Sequence, residues 1–368
     1  MFDLHVDDSL GCVFGTHQEK LEAAQDLINI LSKYYKKVKV NLCGLNETIL
    51  PRKYKLDFCG MDIYHDRDNC FVETSMHDYY NKLIAAIPDN IKPTNTPGKC
   101  FNIKYGSKEQ QQVHSAAPVT LTPDQEKTLQ KFCGVALWYS QVAVETLVAL
   151  SRLSSQIKSP TNETVPFFEF LQGYFKTYGN HVKRFYASDM ILQAWTDASF
   201  DNESKSRSRG GTVLLLGNKD PSLINGPILC RTHILPGVPR SAAEAEIEQE
   251  FDNGDYILQA KNILEAIGYP QKVNIILADN MCAIDYANDQ NKGSKLKSLE
   301  RRLNWLKYQV ENGAFVFQYV TSENNLADLF TKLLPSDRHH YLTNFLVTKK
   351  KMLLTHRLNE LQGCVRLH

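Results

Sequence analysis

Between Leu192 and Lys332 the hydrophobic pattern changes period again and again, and the order of those changes constrains the fold more than any other property of the chain. Leu192, Ala194 and Thr196 alternate with Trp195 and Asp197, as a strand with two differently placed faces requires. Two further strand-like runs follow at 211–216 and 228–232, then a helix expected from about Ser241 to Ile267. A buried strand is expected over 273–278, with a short helix after Asp279. A second long helix is expected through Leu296, Leu299, Leu303, Leu306 and Val310, spaced three and four apart. A strand at 315–320 and a last helix beginning near Asn324 complete the series. Strand, strand, strand, helix, strand, helix, strand, helix predicts an α/β unit with a mixed sheet.

Four acids punctuate this series: Asp197, Glu246, Asp279 and Asp328, each where a strand ends or a helix begins. Carboxylates brought from separate segments to one sheet edge make an oxygen cage, which suits Mg²⁺ better than imidazole or thiolate would. Two such cations about 3.5–4 Å apart hydrolyse phosphodiesters by acting on the attacking water and on the leaving oxygen. Each acid also has a simpler role open to it. Asp279 before Asn280 fits an ordinary helix cap, and Asp328 fits a partner for a helix dipole. The run Glu244, Glu246, Glu248 and Glu250 fits a solvated first turn. What points to a metal site is the joint appearance of the four in this order.

Upstream, the segment from Leu4 to Phe14 reads as a tight hairpin with Asp7 and Asp8 at its tip, followed by a helix with Leu21, Ala24, Ile28, Leu31 and Tyr35 on one face. Strand-like pieces at 37–41 and 54–64 and a helical stretch at 78–87 come next. From Pro88 to Pro118 the chain turns to Pro, Asn, Gly, Lys and a run of three Gln, the composition of a linker. Helices then follow around Phe132 to Leu137, Leu147 to Leu153 and Phe167 to Tyr178. Their aromatic spacing reads as core packing and not as a base-stacking platform. The expected division is 1–88, 89–118 as linker, 119–190 as a helical region, 191–335 as the α/β unit, and 336–368 as a tail.

With 368 residues, 43% of them hydrophobic, the chain is long enough for two cores. The nine cysteines stand singly, without zinc spacing, and their odd number with no secretion signal fits reduced thiols inside a cell, cytoplasmic or nuclear. No run approaches the length of a membrane span.

The motifs Ala194-Trp195-Thr196-Asp197-Ala198-Ser199, Glu244-Ala245-Glu246, Ala278-Asp279-Asn280 and Asn324-Asn325-Leu326-Ala327-Asp328, followed by Thr331-Lys332, resemble the ribonuclease H domain of copia-type retrotransposon polyproteins. Val6-Asp7-Asp8 resembles the last catalytic motif of a reverse transcriptase palm. Phe58-Cys59-Gly60-Met61-Asp62-Ile63 resembles the primer-holding strand that follows it, and Leu150-Ser151-Arg152 the connection between the two activities. The likeness covers about residues 2 to 335.

The resemblance implies a ribonuclease H-like mixed sheet with flanking helices, preceded by a truncated palm and connection region. It implies a nuclease that cuts the RNA strand of RNA/DNA hybrids with two Mg²⁺ ions, or Mn²⁺, held by Asp197, Glu246, Asp279 and Asp328. Glu244 is the reserve ligand. The palm likeness begins at the Asp pair, so Asp7 and Asp8 are expected to be vestigial, and polymerisation by this chain alone is not expected. A catalytically decayed or repurposed remnant that still binds nucleic acid is one alternative, and part of a functional RNA-directed DNA polymerase, with the missing palm and fingers supplied from elsewhere, is a second; other retroelement polyprotein products are possible partners.

One departure from the family stands out: Lys297-Ser298-Leu299-Glu300 occupies the place of a usual Lys-His-Ile-Asp run. The loop from Tyr319 to Glu323 also lacks the His that cellular ribonucleases H tend to carry before the last Asp, a feature it shares with copia-type domains. A formal charge of only +1 means that any hold on phosphates must come from local clusters. The candidates are Lys205, Arg207 and Arg209 after the first acid, and Lys295, Lys297, Arg301 and Arg302 on the second long helix. A solvated helix face would use the same residues.

Overall fold

The computed structural model describes residues 2–5, 8–11, 16–34, 52–100, 121–158, 160, 164–203, 206–220, 223–272, 274–287, 299–347 and 352–353. The expected strand at 37–41, Asp7, Lys205, Lys295 and Lys297 lie outside them, and Asp8 is described only as part of a strand.

The chain opens with a hairpin of β1 (Phe2–His5) and β2 (Asp8–Gly11), followed by α1 (His17–Tyr34). Strands β3 (Lys53–Phe58), β4 (Met61–Asp66) and β5 (Phe71–Ser75) form an antiparallel meander that ends in α2 (His77–Ala85). Helices α3 (Pro123–Tyr139), α4 (Leu147–Gln156) and α5 (Thr164–Thr177) follow, then β6 (Val182–Tyr186). Thr122 starts α3 with a complete capping box: its hydroxyl accepts from the Gln125 amide, and the Gln125 side chain accepts from the Thr122 amide.

Strand β6 closes the first sheet. It pairs with β5 from Phe71↔Tyr186 to Ser75↔Val182, giving the order β3-β4-β5-β6. The expected boundary between 1–88 and 119–190 is therefore crossed by a sheet. It is also crossed by a core, in which Met76, Leu83 and Ile87 pack with Phe132, Ala136, Leu150, Leu171 and Phe175. The described part of the expected linker is packed as well. Ile91 is buried, and Thr94 reaches α5 by donating its amide to the Gly173 carbonyl and its hydroxyl to the Phe170 carbonyl. Gly173 makes this approach possible, because a Cβ there would collide with the Lys92 carbonyl.

The second unit begins with β7 (Ile191–Glu203), β8 (Arg207–Gly217), the short β9 (Leu223–Ile224) and β10 (Pro227–Ile234). Helix α6 (Ala242–Ala266), β11 (Asn274–Ala278), α7 (Met281–Ala287), α8 (Glu300–Glu311) and β12 (Phe315–Tyr319) follow. A short 3₁₀ segment spans Leu326–Phe330, then come α9 (Ser336–Leu346) and β13 (Met352–Leu353), which pairs with β9. The main sheet has the order β10-β8-β7-β11-β12. Its β10, β8 and β7 are antiparallel neighbours, whereas β7, β11 and β12 run parallel. This is the mixed sheet that the periodicity of the sequence predicts.

The alternation along β7 serves two layers. Leu192 and Ala194 join Leu214, Ile247, Ile276, Leu303, Leu306 and Phe315 under α6 and α8. Trp195, on the opposite face, joins Val213, Leu215, Leu277, Leu326, Leu329 and Phe330, together with Leu342 and Phe345 of α9. Each Leu, Ile, Val or Phe among these contributes about 1.5–3 kcal/mol on burial. The expected tail at 336–368 thus contains a packed helix, whose cue is a fit to a surface distant in sequence. Among the described residues, no helix is long and apolar enough to cross a membrane.

A buried polar network fastens α9 to the first unit. His181 Nε2 lies 2.8 Å from Glu145 Oε1, and the Tyr174 hydroxyl lies 3.2 Å from the same oxygen and 3.1 Å from His339 Nε2. Burial lowers the His339 imidazole from 6.5 to about 4, against the pull of Glu145 and with the push of His340 and His181. A folded value below the unfolded one means that this contribution is complete above pH 6.5 and is lost as pH falls toward about 4. His339→Gln keeps a donor for Tyr174 and does not titrate. Relative to this variant, the wild type is expected to lose up to about 3 kcal/mol between those pH values, read as the difference in urea-unfolding free energy.

Candidate active site

Three of the expected acids meet. Asp197 of β7, Glu246 in the first turns of α6 and Asp279 directly after β11 each offer a carboxylate oxygen, and these oxygens lie within 4.8 Å of one another. Strand pairing fixes two of them: Leu277 of β11 pairs with Trp195 of β7, so Asp279, just past the end of β11, comes alongside Asp197, which lies in the middle of β7 and not at a strand end as expected, because β7 runs on to Glu203.

Helix α6 supplies the third through its cap. The Ser241 hydroxyl accepts from the Glu244 amide at 3.2 Å, while Glu244 Oε2 accepts from the Arg240 amide at 2.8 Å. The Glu244 carboxylate is thereby engaged by the backbone before the helix. Glu246, about 200° further round the helix, points to the cluster instead.

The acidic run is not a solvated turn. Glu244, Glu246, Glu248 and Glu250 are all buried. Glu248 accepts from the Gly237 amide and pairs with Arg302 at 3.3 Å. Neither Glu250 oxygen has a hydrogen-bond partner among the described residues, and burial pushes that carboxyl up to about 8.

The cluster is electrostatically tense. Burial raises the Asp197 carboxyl to about 7; Lys332 opposes the rise, and Asp328 and Asp279 add to it. Burial also pushes Glu246 well above the ordinary carboxylate range, reinforced by the charges of Asp197, Asp279 and Glu250. Glu246 Oε2 is buried without a hydrogen-bond partner among the described residues. Crowded carboxylates with an unsatisfied oxygen fit a divalent cation, which neutralises the repulsion and takes oxygen ligands.

Asp328 stands apart from the three. Its Oδ1 lies 2.7 Å from Lys332 Nζ and its Oδ2 lies 2.6 Å from Arg338 Nη2. Lys332 also reaches Asp197 Oδ2 at 3.2 Å, and the Thr331 hydroxyl donates to that same oxygen. For Lys332, burial disfavours the charged form, but Asp197 and Asp328 outweigh it and hold the ammonium above its ordinary value.

Two adjacent glycines let this arrangement close. Gly211, paired with Asp197, faces the 3₁₀ segment, where a Cβ would come within 2.8 Å of the Ala327 carbonyl. Gly210 faces α6, and its Cβ would overlap the Gln249 side chain. Helix and 3₁₀ segment can therefore both press on β8 beside the first acid.

Residues named in the motifs without a role hold the acids in place. Asn325 Nδ2 donates to the Thr196 carbonyl at 2.9 Å and to Asp279 Oδ1 at 3.3 Å, tying two acid-bearing strands together. The Ser322 hydroxyl donates to Asp279 Oδ2 at 2.6 Å. Arg338, within the expected tail, also donates to the carbonyls of Glu323 and Ser322. Nothing local in the sequence marks it.

The basic candidates divide. Arg301 is exposed on α8 and Arg207 is half-buried in β8. Arg302 is engaged by Glu248 and lies over the Phe251 ring. Arg209 requires a correction: it is 2% exposed, with Nε 2.7 Å from Glu203 Oε1 and Nη1 donating to the hydroxyls of Ser151 and Thr232. It is a buried structural cation, because its place two residues before Gly211 carries it under α4.

No family model matches the chain. It is 21% identical over 284 residues to the retrovirus-related Pol polyprotein from transposon TNT 1-94 of Nicotiana tabacum, covering 76% of this chain and 20% of that protein. It is 22% identical over 353 residues to the transposon Ty1-JR1 Gag-Pol polyprotein of Saccharomyces cerevisiae, covering 93% of this chain and 19% of that protein. The chain thus spans about a fifth of the length of these curated relatives. Among solved structures, ribonuclease H1 from Halobacterium salinarum is 14% identical, covering 38% of this chain and 94% of that one with a TM-score of 0.27. The sheet order and strand directions carry the fold assignment. Over most of its length the chain is homologous to the Pol polyproteins of copia-type retrotransposons, and its second unit is a ribonuclease H-like mixed sheet with flanking helices.

Proposed function

We propose that the chain hydrolyses the RNA strand of RNA/DNA hybrids, with Asp197, Glu246 and Asp279 holding a divalent cation, Mg²⁺ or Mn²⁺. The observation that carries this reading is the convergence of three carboxylates from β7, α6 and the end of β11 within 4.8 Å. When bound, such a cation polarises phosphoryl oxygens and acidifies the attacking water. The chain's own residues set the stage: Asn325 and Ser322 orient Asp279, and Thr331 orients Asp197. Arg301 and Arg207 are proposed to meet the hybrid's phosphates, a contact that needs no base reading.

The second reading is a remnant that binds the hybrid without cutting it. The contact of Lys332 with Asp197 and Asp328 favours it, since part of the acidic charge is already neutralised. Incubation with end-labelled hybrid, double-stranded RNA, double-stranded DNA and single-stranded RNA in Mg²⁺ separates the two. Cleavage confined to the RNA of the hybrid, and stopped by a chelator, is the expected result. Hybrid binding without any cleavage in Mg²⁺ or Mn²⁺ would favour the remnant.

A further inference from the structure

We propose that Lys332 is a built-in cation: its ammonium holds the position between Asp197 and Asp328 that a second divalent ion would need, so the site takes one divalent ion, on Asp197, Glu246 and Asp279. This inference rests on the metal-site reading above and deepens it. Lys332 Nζ lies 2.7 Å from Asp328 Oδ1 and 3.2 Å from Asp197 Oδ2. Arg338 takes the other Asp328 oxygen at 2.6 Å, so both oxygens of that carboxylate already face a fixed positive charge. Asp197 Oδ2 further accepts from the Thr331 hydroxyl. Two carboxylates and two cationic side chains balance. An added dication would sit at contact distance from an ammonium, and burial magnifies that repulsion.

The backbone that carries Lys332 is also held in place. Its amide donates to the Asp328 carbonyl at 3.1 Å, closing the turn that carries both side chains. Thr331 beside it is fully buried, and Gly211 lets the segment lie directly on β8. On the other side of Asp197 the situation is reversed. Glu246 Oε2 is buried with no hydrogen-bond partner, and no Lys or Arg forms an ion pair with Glu246 or Asp279 among the described residues. The structure therefore holds one acidic position already supplied with a cation and one that lacks it.

Counting bound Mn²⁺ on the full chain, by electron paramagnetic resonance during titration, tests this without reference to activity. The wild type is expected to bind one ion. Asp279→Asn is expected to weaken it by more than about tenfold, while Asp328→Asn changes its Kd by less than about twofold. Lys332→Gln should open a second site, and Lys332→Gln/Asp328→Asn should return the count to one. A wild-type count of two overturns the Lys332 inference and leaves the metal site standing. The same holds for a folded Lys332→Gln that still binds one ion, or for Asp328→Asn weakening binding as much as Asp279→Asn. A count of zero removes the metal site itself, and this inference with it. Should Lys332→Gln fail to fold, the comparison of Asp279→Asn with Asp328→Asn decides alone.

Discussion

Asp279→Asn is expected to lower hybrid cleavage by on the order of 10²–10³-fold or more, with the folded state intact. The substitution preserves shape, and an Asn oxygen can still accept from Ser322 or Asn325 as Asp279 does now. What is lost is one of three carboxylates whose oxygens lie within 4.8 Å of one another. The same charge raises both Asp197 and Glu246, so its removal relieves repulsion between buried carboxylates. Thermal stability in the absence of metal should therefore stay level or rise while single-turnover cleavage collapses. Wild-type rates in the variant, with hybrid affinity unchanged, would remove Asp279 from the chemistry.

Glu203→Ala is expected to be the most destabilising single change outside the hydrophobic core, at about 3–5 kcal/mol. Glu203 Oε1 accepts from Arg152 Nη2 at 3.0 Å and Nε at 3.1 Å, and from Arg209 Nε at 2.7 Å. All three side chains are about nine-tenths buried or more. Burial alone would raise the Glu203 carboxyl, but Arg152 and Arg209 outweigh it and hold it below its ordinary value. Removing the carboxylate strands two guanidiniums away from water, with hydroxyl acceptors, among the described residues, for Arg209 alone. Because Arg152 belongs to α4 and Arg209 to β8, the loss also loosens the joint between the two units. Equilibrium unfolding in urea measures it. The triple variant Arg152→Met/Glu203→Leu/Arg209→Met should recover much of the loss, since apolar groups of similar volume need no counter-charge. A Glu203→Ala protein as stable as wild type would show that the triad contributes little.

The parts of this molecule that were legible in its sequence are those with a local cause. Periodicity alone places β7, α6, β11, α8 and β12, because each buries a face whose spacing repeats along the chain. The mixed sheet follows from their order. The acids were visible for the same reason: Asp197 and Asp279 break hydrophobic runs at positions that parallel pairing then brings side by side, although β7 continues past Asp197 to Glu203.

What sequence could not show depends on partners far along the chain. Strand β6 is five residues whose partner β5 lies more than a hundred positions earlier, and neither has a pattern strong enough to stand without the other. Helix α9 reads as tail until Leu342 and Phe345 meet Trp195 and its neighbours. Arg209 looks like a phosphate contact because basic residues follow an acid. Its burial comes from Glu203, Ser151 and Thr232, which no spacing rule links to it. The run from Glu244 to Glu250 obeys the rule for an acidic helix start, yet tertiary packing gives each carboxylate a different environment. Asp328 fits the motif, but Lys332 and Arg338 already occupy its oxygens, and that is a matter of three-dimensional charge balance.

Crystals of the chain soaked in Mn²⁺, with anomalous differences recorded at the manganese edge, show whether Asp197, Glu246 and Asp279 hold a cation. A peak at coordinating distance, about 2.2 Å, from one oxygen each of Asp197, Glu246 and Asp279 is the predicted result. Full manganese elsewhere in the crystal with nothing among these three carboxylates would contradict it.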